Sequence, residues 1–291
     1  MPIAVRYVHS QPSKTVTFDF SGHKVLSYTI GLAYWRLSFN NDNHVRTLKI
    51  SLSANQPNEA QVTVKVNGEI RDDSGNTIHV DDSSVVACCI AVVDNKDSNV
   101  VLASANGISD GTQSAGIALP SSTLSIGAAF LSGFELVYGS DNHVLSVELA
   151  TGMVQNGTTA YIRADASMSD SSGNMATTAT LNAGLLAAST TEAGVYAVPM
   201  LNLQAPGTTV PVEFKKELSD AVVLLQDYQV RFAKDHHVRS IGGGCHQWAV
   251  EGSTVKLTTP RAFMWDDSGN NESSGSVSLL VVGIPKTVAA S

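Results

Sequence analysis

The stretch FNNDNHVRTL at 39–48 returns as YGSDNHVLSV at 138–147 and as FAKDHHVRSI at 232–241. Aligned on the histidine, the three segments share Leu-x-x-aromatic-x-x-x-aromatic-x-x-Asp-x-His-Val-x-x-aliphatic without a gap. The first copy is Leu32, Trp35, Phe39, Asp42, His44, Val45 and Leu48; the second is Leu131, Phe134, Tyr138, Asp141, His143, Val144 and Val147. The third is Leu225, Tyr228, Phe232, Asp235, His237, Val238 and Ile241. About 30 residues after each histidine comes DDSGN (72–76), DSSGN (170–174) or DDSGN (266–270), and then an apolar run, VVACCIAVV, LNAGLLAA or VSLLVVGI. The histidines lie 99 and 94 residues apart. Solenoid repeats have periods of roughly 20 to 50 residues, so each unit has the size of a small domain. The expectation is an internal triplication with units at 1–98, 112–190 and 208–291, joined by Ser/Ala/Gly/Asn-rich linkers at 99–111 and 191–207.

Within each unit the hydrophobic period is two. VTFDF places Val16, Phe18 and Phe20 on one face, WRLSF does so with Trp35, Leu37 and Phe39, and QVTVKV with Val62, Val64 and Val66. The third unit repeats the alternation at Val210, Val212 and Phe214, at Tyr228, Val230 and Phe232, and at Val255 and Leu257. VSLLVVGI is apolar on both faces, as a strand covered on both sides must be. The segment FKKELSDAVVLLQDY (214–228) comes nearest to a helical pattern, yet its counterparts in the other units read as strand. The fold class expected is all-β, with three tandem homologous antiparallel β-sandwich domains.

Composition narrows the function. The net charge is −8 and charged residues make up 15% of the chain, against about 25% in ordinary domains, so a phosphate-binding surface and a nucleic-acid partner are not expected. No run of about 18 apolar residues could span a bilayer, and MPIAVRYVHS lacks the apolar core of a Sec signal. Synthesis in the cytoplasm is expected, with release as part of a particle or by lysis. Cys88, Cys89 and Cys245 cannot make a repeated disulfide framework, because the second unit has no cysteine.

The Asp-x-His triplet, Asp42 with His44, Asp141 with His143 and Asp235 with His237, admits two accounts. Residues two apart on a strand share a face, so a carboxylate could orient an imidazole for ligand binding or proton transfer. Alternatively NND, GSD and AKD are hairpin turns, with Asp bonding turn amides and His packing over the next strand. The second account is preferred, since three copies of a fold determinant are commoner than three copies of an active site. It places the histidines in separate cores, far more than about 10 Å apart, with independent energetic effects. One His and one Asp per unit fall short of the roughly four ligands of a closed metal shell, so neither metal nor other cofactor is expected. His236 projects to the opposite side of the strand from His237. The DSGN loops lack the ligand series of a calcium loop and read as turns with positive φ at Gly75, Gly173 and Gly269. Cys245 beside His246 has no counterpart in the other units, no G-x-S-x-G or P-loop occurs, and no enzyme is expected.

The order of a Val-x-Phe strand, a strand entering a short polar turn and a closing apolar strand resembles the small sandwich of H-type lectins over about 70 residues of each unit. The Trp-containing closing strand associated with those lectins is replaced by VVACCIAVV, LNAGLLAA and VSLLVVGI, and no ligand-binding residue carries over. Two non-catalytic functions follow. The first is a structural or adhesion subunit of a larger assembly, such as a phage-like particle, tail or fibre, whose partners are copies of itself or other subunits. The second is a multivalent, lectin-like binder of cell-surface glycans, alone or as part of a toxin, with Tyr34, Trp248 and Trp265 as candidate sugar contacts.

Overall fold

The computed structural model describes residues 3–95, 99–189, 195–203 and 207–286. Among these the chain is antiparallel β throughout, with no α-helix and one short 3-10 turn at Val80–Asp82. The first sheet runs β1 (Ile3–Ser10), β6 (Ser84–Val93), β3 (Val25–Asn43), β16 (Val238–Gly244) and β19 (Arg261–Trp265). The second runs β2 (Thr15–Asp19), β5 (Gln61–Arg71), β4 (Val45–Asn58), β9 (Ile126–Asn142), β12 (Thr178–Ala188) and β7 (Val100–Ser109). The third runs β13 (Tyr196–Leu203), β20 (Ser274–Pro285), β15 (Leu218–His236), β10 (Val144–Asn156), β11 (Thr159–Ser169) and β8 (Ile117–Ala118). A small fourth sheet runs β14 (Thr209–Glu213), β18 (Thr254–Thr258) and β17 (Gln247–Glu251).

Period-two alternation accounts for these strands locally. Trp35, Leu37 and Phe39 are fully buried, as are Val62, Val64 and Val66, and Tyr228, Val230 and Phe232. The ambiguous 214–228 segment enters β15, as its counterparts indicated. β3 and β15 each run 19 residues and β9 runs 17, far beyond the usual five or six. Strands of this length accommodate twist through β-bulges, which fall at matching places. Register shifts follow Leu32, Leu131 and Leu225, the first residues of the shared pattern. A second set follows Val45, Val144 and Val238.

The sheets join successive thirds of the chain. β4 pairs with β9, β10 with β15, and β16 with β3, so each third supplies an edge to the next and the last closes on the first. The fourth sheet arises where the third circuit breaks. β16 stops at Gly244, which has φ +112, and β18 is cut from β19 by Thr259 at φ +48 followed by Pro260, which has no N–H for a ladder.

Two cores result. One gathers the alternate faces of nearly all strands, including Trp35, Phe134 and Tyr228. The other takes the opposite faces of β6, β12 and β20, with Val86, Cys88 and Ile90, Leu186, and Leu280, Val282 and Ile284 packed around Phe130 and Leu224. These closing strands are apolar on both sides because each lies between two cores. Gly31 is required at the meeting of thirds: a Cβ there would fall 2.6 Å from Leu224 Cδ2 and 2.7 Å from Phe130 Cδ2.

Three sequence expectations need correction. The linker at 99–111 holds β7, which pairs with β12, and that at 191–207 holds β13, which pairs with β20, just as β1 pairs with β6. Residues 1–2, 96–98, 190–194, 204–206 and 287–291 of the expected units and linkers lie outside the described residues. All three strands are sheet edges with one side exposed to water, and in β7 and β13 the resulting composition imitated a linker. The Asp-x-His segments are not hairpin turns, since β3 and β4, β9 and β10, and β15 and β16 belong to different sheets. Nor do separate cores keep the three histidines apart.

Candidate functional site

Each histidine of the triplet is the single residue between two strands: His44 between β3 and β4, His143 between β9 and β10, His237 between β15 and β16. At each one the chain leaves a sheet and enters the next. The residue after each histidine then pairs with the residue before the next one, Val45 with Asn142, Val144 with His236, and Val238 with Asn43. This three-way lock forces the corners together. The ring centroids of His44 and His143 are 4.5 Å apart, those of His44 and His237 4.4 Å, and those of His143 and His237 4.8 Å.

The aspartates close a second ring, each beside the histidine of another third. Asp42 Oδ2 lies 3.9 Å from His237 Nδ1, and Asp235 Oδ2 lies 4.0 Å from His143 Nδ1. Asp141 acts on His44 as the neighbouring carboxylate, together with Asp72. Partial burial, together with the proximity of the His237 and His143 rings, outweighs those carboxylates and holds His44 below the ordinary imidazole value. His143 and His237 expose 43% and 39% of their side chains, so solvent reaches the cluster.

The DSGN loops brace the corners. In each, Asp72, Asp170 or Asp266 accepts bonds from the backbone N–H and the side-chain amide of Asn76, Asn174 or Asn270, at 2.5–2.8 Å. Gly75, Gly173 and Gly269 take φ of +97, +91 and +88, as the turn requires. The loops reach across thirds: the Asp73 N–H donates to Asp141 Oδ1 at 2.6 Å, and the Asp42 N–H donates to Asp267 Oδ2 at 2.8 Å. His236 lies 3.5 Å from Asp266, and its ring packs against Phe232 at 5.1 Å between centroids. Beneath the corners Phe39, Tyr138 and Phe232 are buried, and Trp35 contacts Phe134 and Tyr228 at 4.9 and 5.0 Å between centroids.

The other candidates fall elsewhere. Tyr34, Trp248 and Trp265 belong to one chain of touching rings, in the order Trp248, Tyr7, His9, His246, Tyr34, Phe263 and Trp265. Tyr34 is buried, Trp265 is covered by the Arg36 guanidinium at 5.1 Å, and Trp248 Nε1 donates to the Ala221 carbonyl. Cys245 is buried, and burial pushes its thiol up to about 12 against bonds to the Gln247 and Thr258 carbonyls, so it stays protonated at neutral pH. Sequence reasoning named all six residues of the triplets but missed their convergence. Three aligned Asp-x-His copies in the sequence were the signal, since like segments at like strand junctions are candidates to meet.

His44, His143 and His237 each offer a ring nitrogen, and these atoms lie within 4.8 Å of one another, which makes them, among the described residues, a group able to hold a metal ion. Comparison with protein-family models gives no match, and comparison with curated protein sequences gives none either.

Proposed function

We propose that the chain is an internal triplication of antiparallel β-sandwich units that serves as a non-catalytic structural or adhesion subunit of a larger assembly, of the particle, tail or fibre kind. The cyclic strand exchange carries this reading: β4 on β9, β10 on β15 and β16 on β3 make one chain resemble a closed trimer. Such a body offers three similar outer faces to neighbours around an axis, while the strands that join successive thirds are paired within one chain. The low charge and the Ser-, Thr-, Asn- and Ala-rich strands suit surfaces that pack against other subunits.

Multivalent glycan binding is the second reading, and the exposed Tyr7 ring beside the half-buried Trp248 favours it, because accessible aromatic faces stack on sugar rings. Size-exclusion chromatography with light scattering at low salt, followed by a glycan array, separates the two. A closed or filamentous multimer of the 30.6 kDa chain is the result expected. A monomer that binds glycans, and loses them on Tyr7→Ala or Trp248→Ala, supports the second reading instead, and a monomer that binds none overturns both.

A further inference from the structure

We propose that His44, His143 and His237 form a binding site for one divalent transition-metal ion per chain, of the imidazole-preferring class that includes Zn2+, Co2+ and Ni2+. The three ligands come from three different strand junctions and are brought together by the backbone lock between Val45 and Asn142, Val144 and His236, and Val238 and Asn43. Their placement is thus fixed by sheet pairing rather than by flexible side chains. Their ring nitrogens lie within 4.8 Å of one another, which puts each at most about 2.8 Å from a common centre. A zinc–imidazole bond is about 2.0 to 2.1 Å, so an inward shift of under about 1 Å by ring rotation completes the site.

The surroundings match a metal centre rather than a packed core. Nδ1 of His143 lies 4.0 Å from Asp235 Oδ2 and Nδ1 of His237 lies 3.9 Å from Asp42 Oδ2, so in the proposed site Nε2 of these two rings takes the ion. A carboxylate behind the ligating imidazole is the usual means of fixing its tautomer and raising its basicity. The ring of Asp42, Asp141 and Asp235 also offsets the charge of a dication. Arg46 pairs with Asp73, and Arg239 pairs with Asp82 and Asp267, while Arg46 Nε and Arg239 Nη1 are buried without a partner among the described residues. Because His143 and His237 are part exposed, solvent or an outside group completes the coordination shell. Three nitrogens without an oxygen cage exclude Ca2+ and Mg2+ as natural occupants.

The test uses the full chain without a histidine tag, stripped by chelator and titrated with ZnCl2 and CoCl2. Calorimetry should give one ion per chain, Co2+ should produce visible absorption bands, and CaCl2 should give neither. His143→Ala, with His143→Gln as a second variant where the first is poorly folded, should weaken binding on the order of 100-fold or more, since a three-ligand site loses one ligand. Asp235→Asn should weaken it on the order of 10-fold, the usual effect of losing a carboxylate behind a ligand. His9→Ala with His246→Ala, the other histidine pair with touching rings, should leave binding unchanged. In the unaltered protein, bound Co2+ should shift the ring N–H resonances of three imidazoles. Absence of saturable binding, fewer than three shifted imidazoles, or full binding by a folded His143 variant overturns the proposal.

Discussion

Replacing Trp35 and Phe134 by leucine, singly and together, exposes the meeting of the thirds energetically. Trp35 stands on β3 and Phe134 on β9, 99 residues apart in sequence, yet their rings are 4.9 Å apart at 57° and both are buried. Leucine keeps an apolar side chain in place, so the loss common to both rings is the aromatic contact, worth about 0.5 to 1.5 kcal/mol beyond area burial. Trp35→Leu also removes an indole N–H that has no hydrogen-bond partner among the described residues. A buried orphan donor costs about 1 to 3 kcal/mol, so Trp35→Leu should be milder than its lost volume suggests. Urea unfolding of the four proteins, followed by tryptophan-independent circular dichroism, gives the cycle. The double variant should be less destabilised than the sum of the singles by about 0.5 to 1.5 kcal/mol. Additivity within about 0.3 to 0.5 kcal/mol would mean that the rings occupy separate cores, and the three-way packing would fall.

Gly31→Ala should lower stability by about 1 to 3 kcal/mol, because its Cβ meets Phe130 and Leu224 from the other two thirds; unchanged thermal unfolding would refute that contact. The carboxyls of Asp72, Asp170 and Asp266 are raised by burial but lowered further by their asparagine and turn-amide bonds, so each titrates below the ordinary 3.8. A depressed carboxyl stabilises the fold above its unfolded value and loses that stabilisation as pH falls through the folded one. The melting temperature should therefore fall steeply once pH drops below about 3.8, and less steeply in the triple variant D72N, D170N, D266N, a comparison that sets aside the opposite effect of Asp220 and Asp227, raised by burial. Cys88, Cys89 and Cys245 are buried thiols that burial keeps protonated, so a disulfide reagent at neutral pH should modify none until urea is added, and rapid labelling of the folded chain would contradict their placement.

What could be read from the sequence was whatever depends on faces. Period two marked Phe18, Trp35, Val64 and Tyr228 as core, and the doubly apolar VSLLVVGI marked a strand covered on both sides, which β20 is. DSGN carried its own turn chemistry in the Asp and Gly positions. Strand partners were not legible, because alternation says which side of a strand is buried and not which strand lies beside it. That gap hid the switch of sheet at His44, His143 and His237. It also made one His and one Asp per unit look too few for a ligand set, a count that assumed each unit closes on itself. β7 and β13 escaped notice for a different reason: at a sheet edge one side is wet, and Val100–Ser109 with its Ser, Ala and Asn has the composition of a loop.

Scanning calorimetry of the unaltered chain, under conditions where light scattering gives a single species, tests the central claim that the three thirds form one cooperative body. At about 0.7 kcal/mol per residue near 60 °C, 291 residues unfolding together absorb on the order of 200 kcal/mol. A single transition whose van't Hoff enthalpy matches that calorimetric value is the result expected. Separable transitions, or a van't Hoff enthalpy of only about 70 kcal/mol, the share of one third of the chain, would mean three domains that fold alone and would contradict the interlocked sheets.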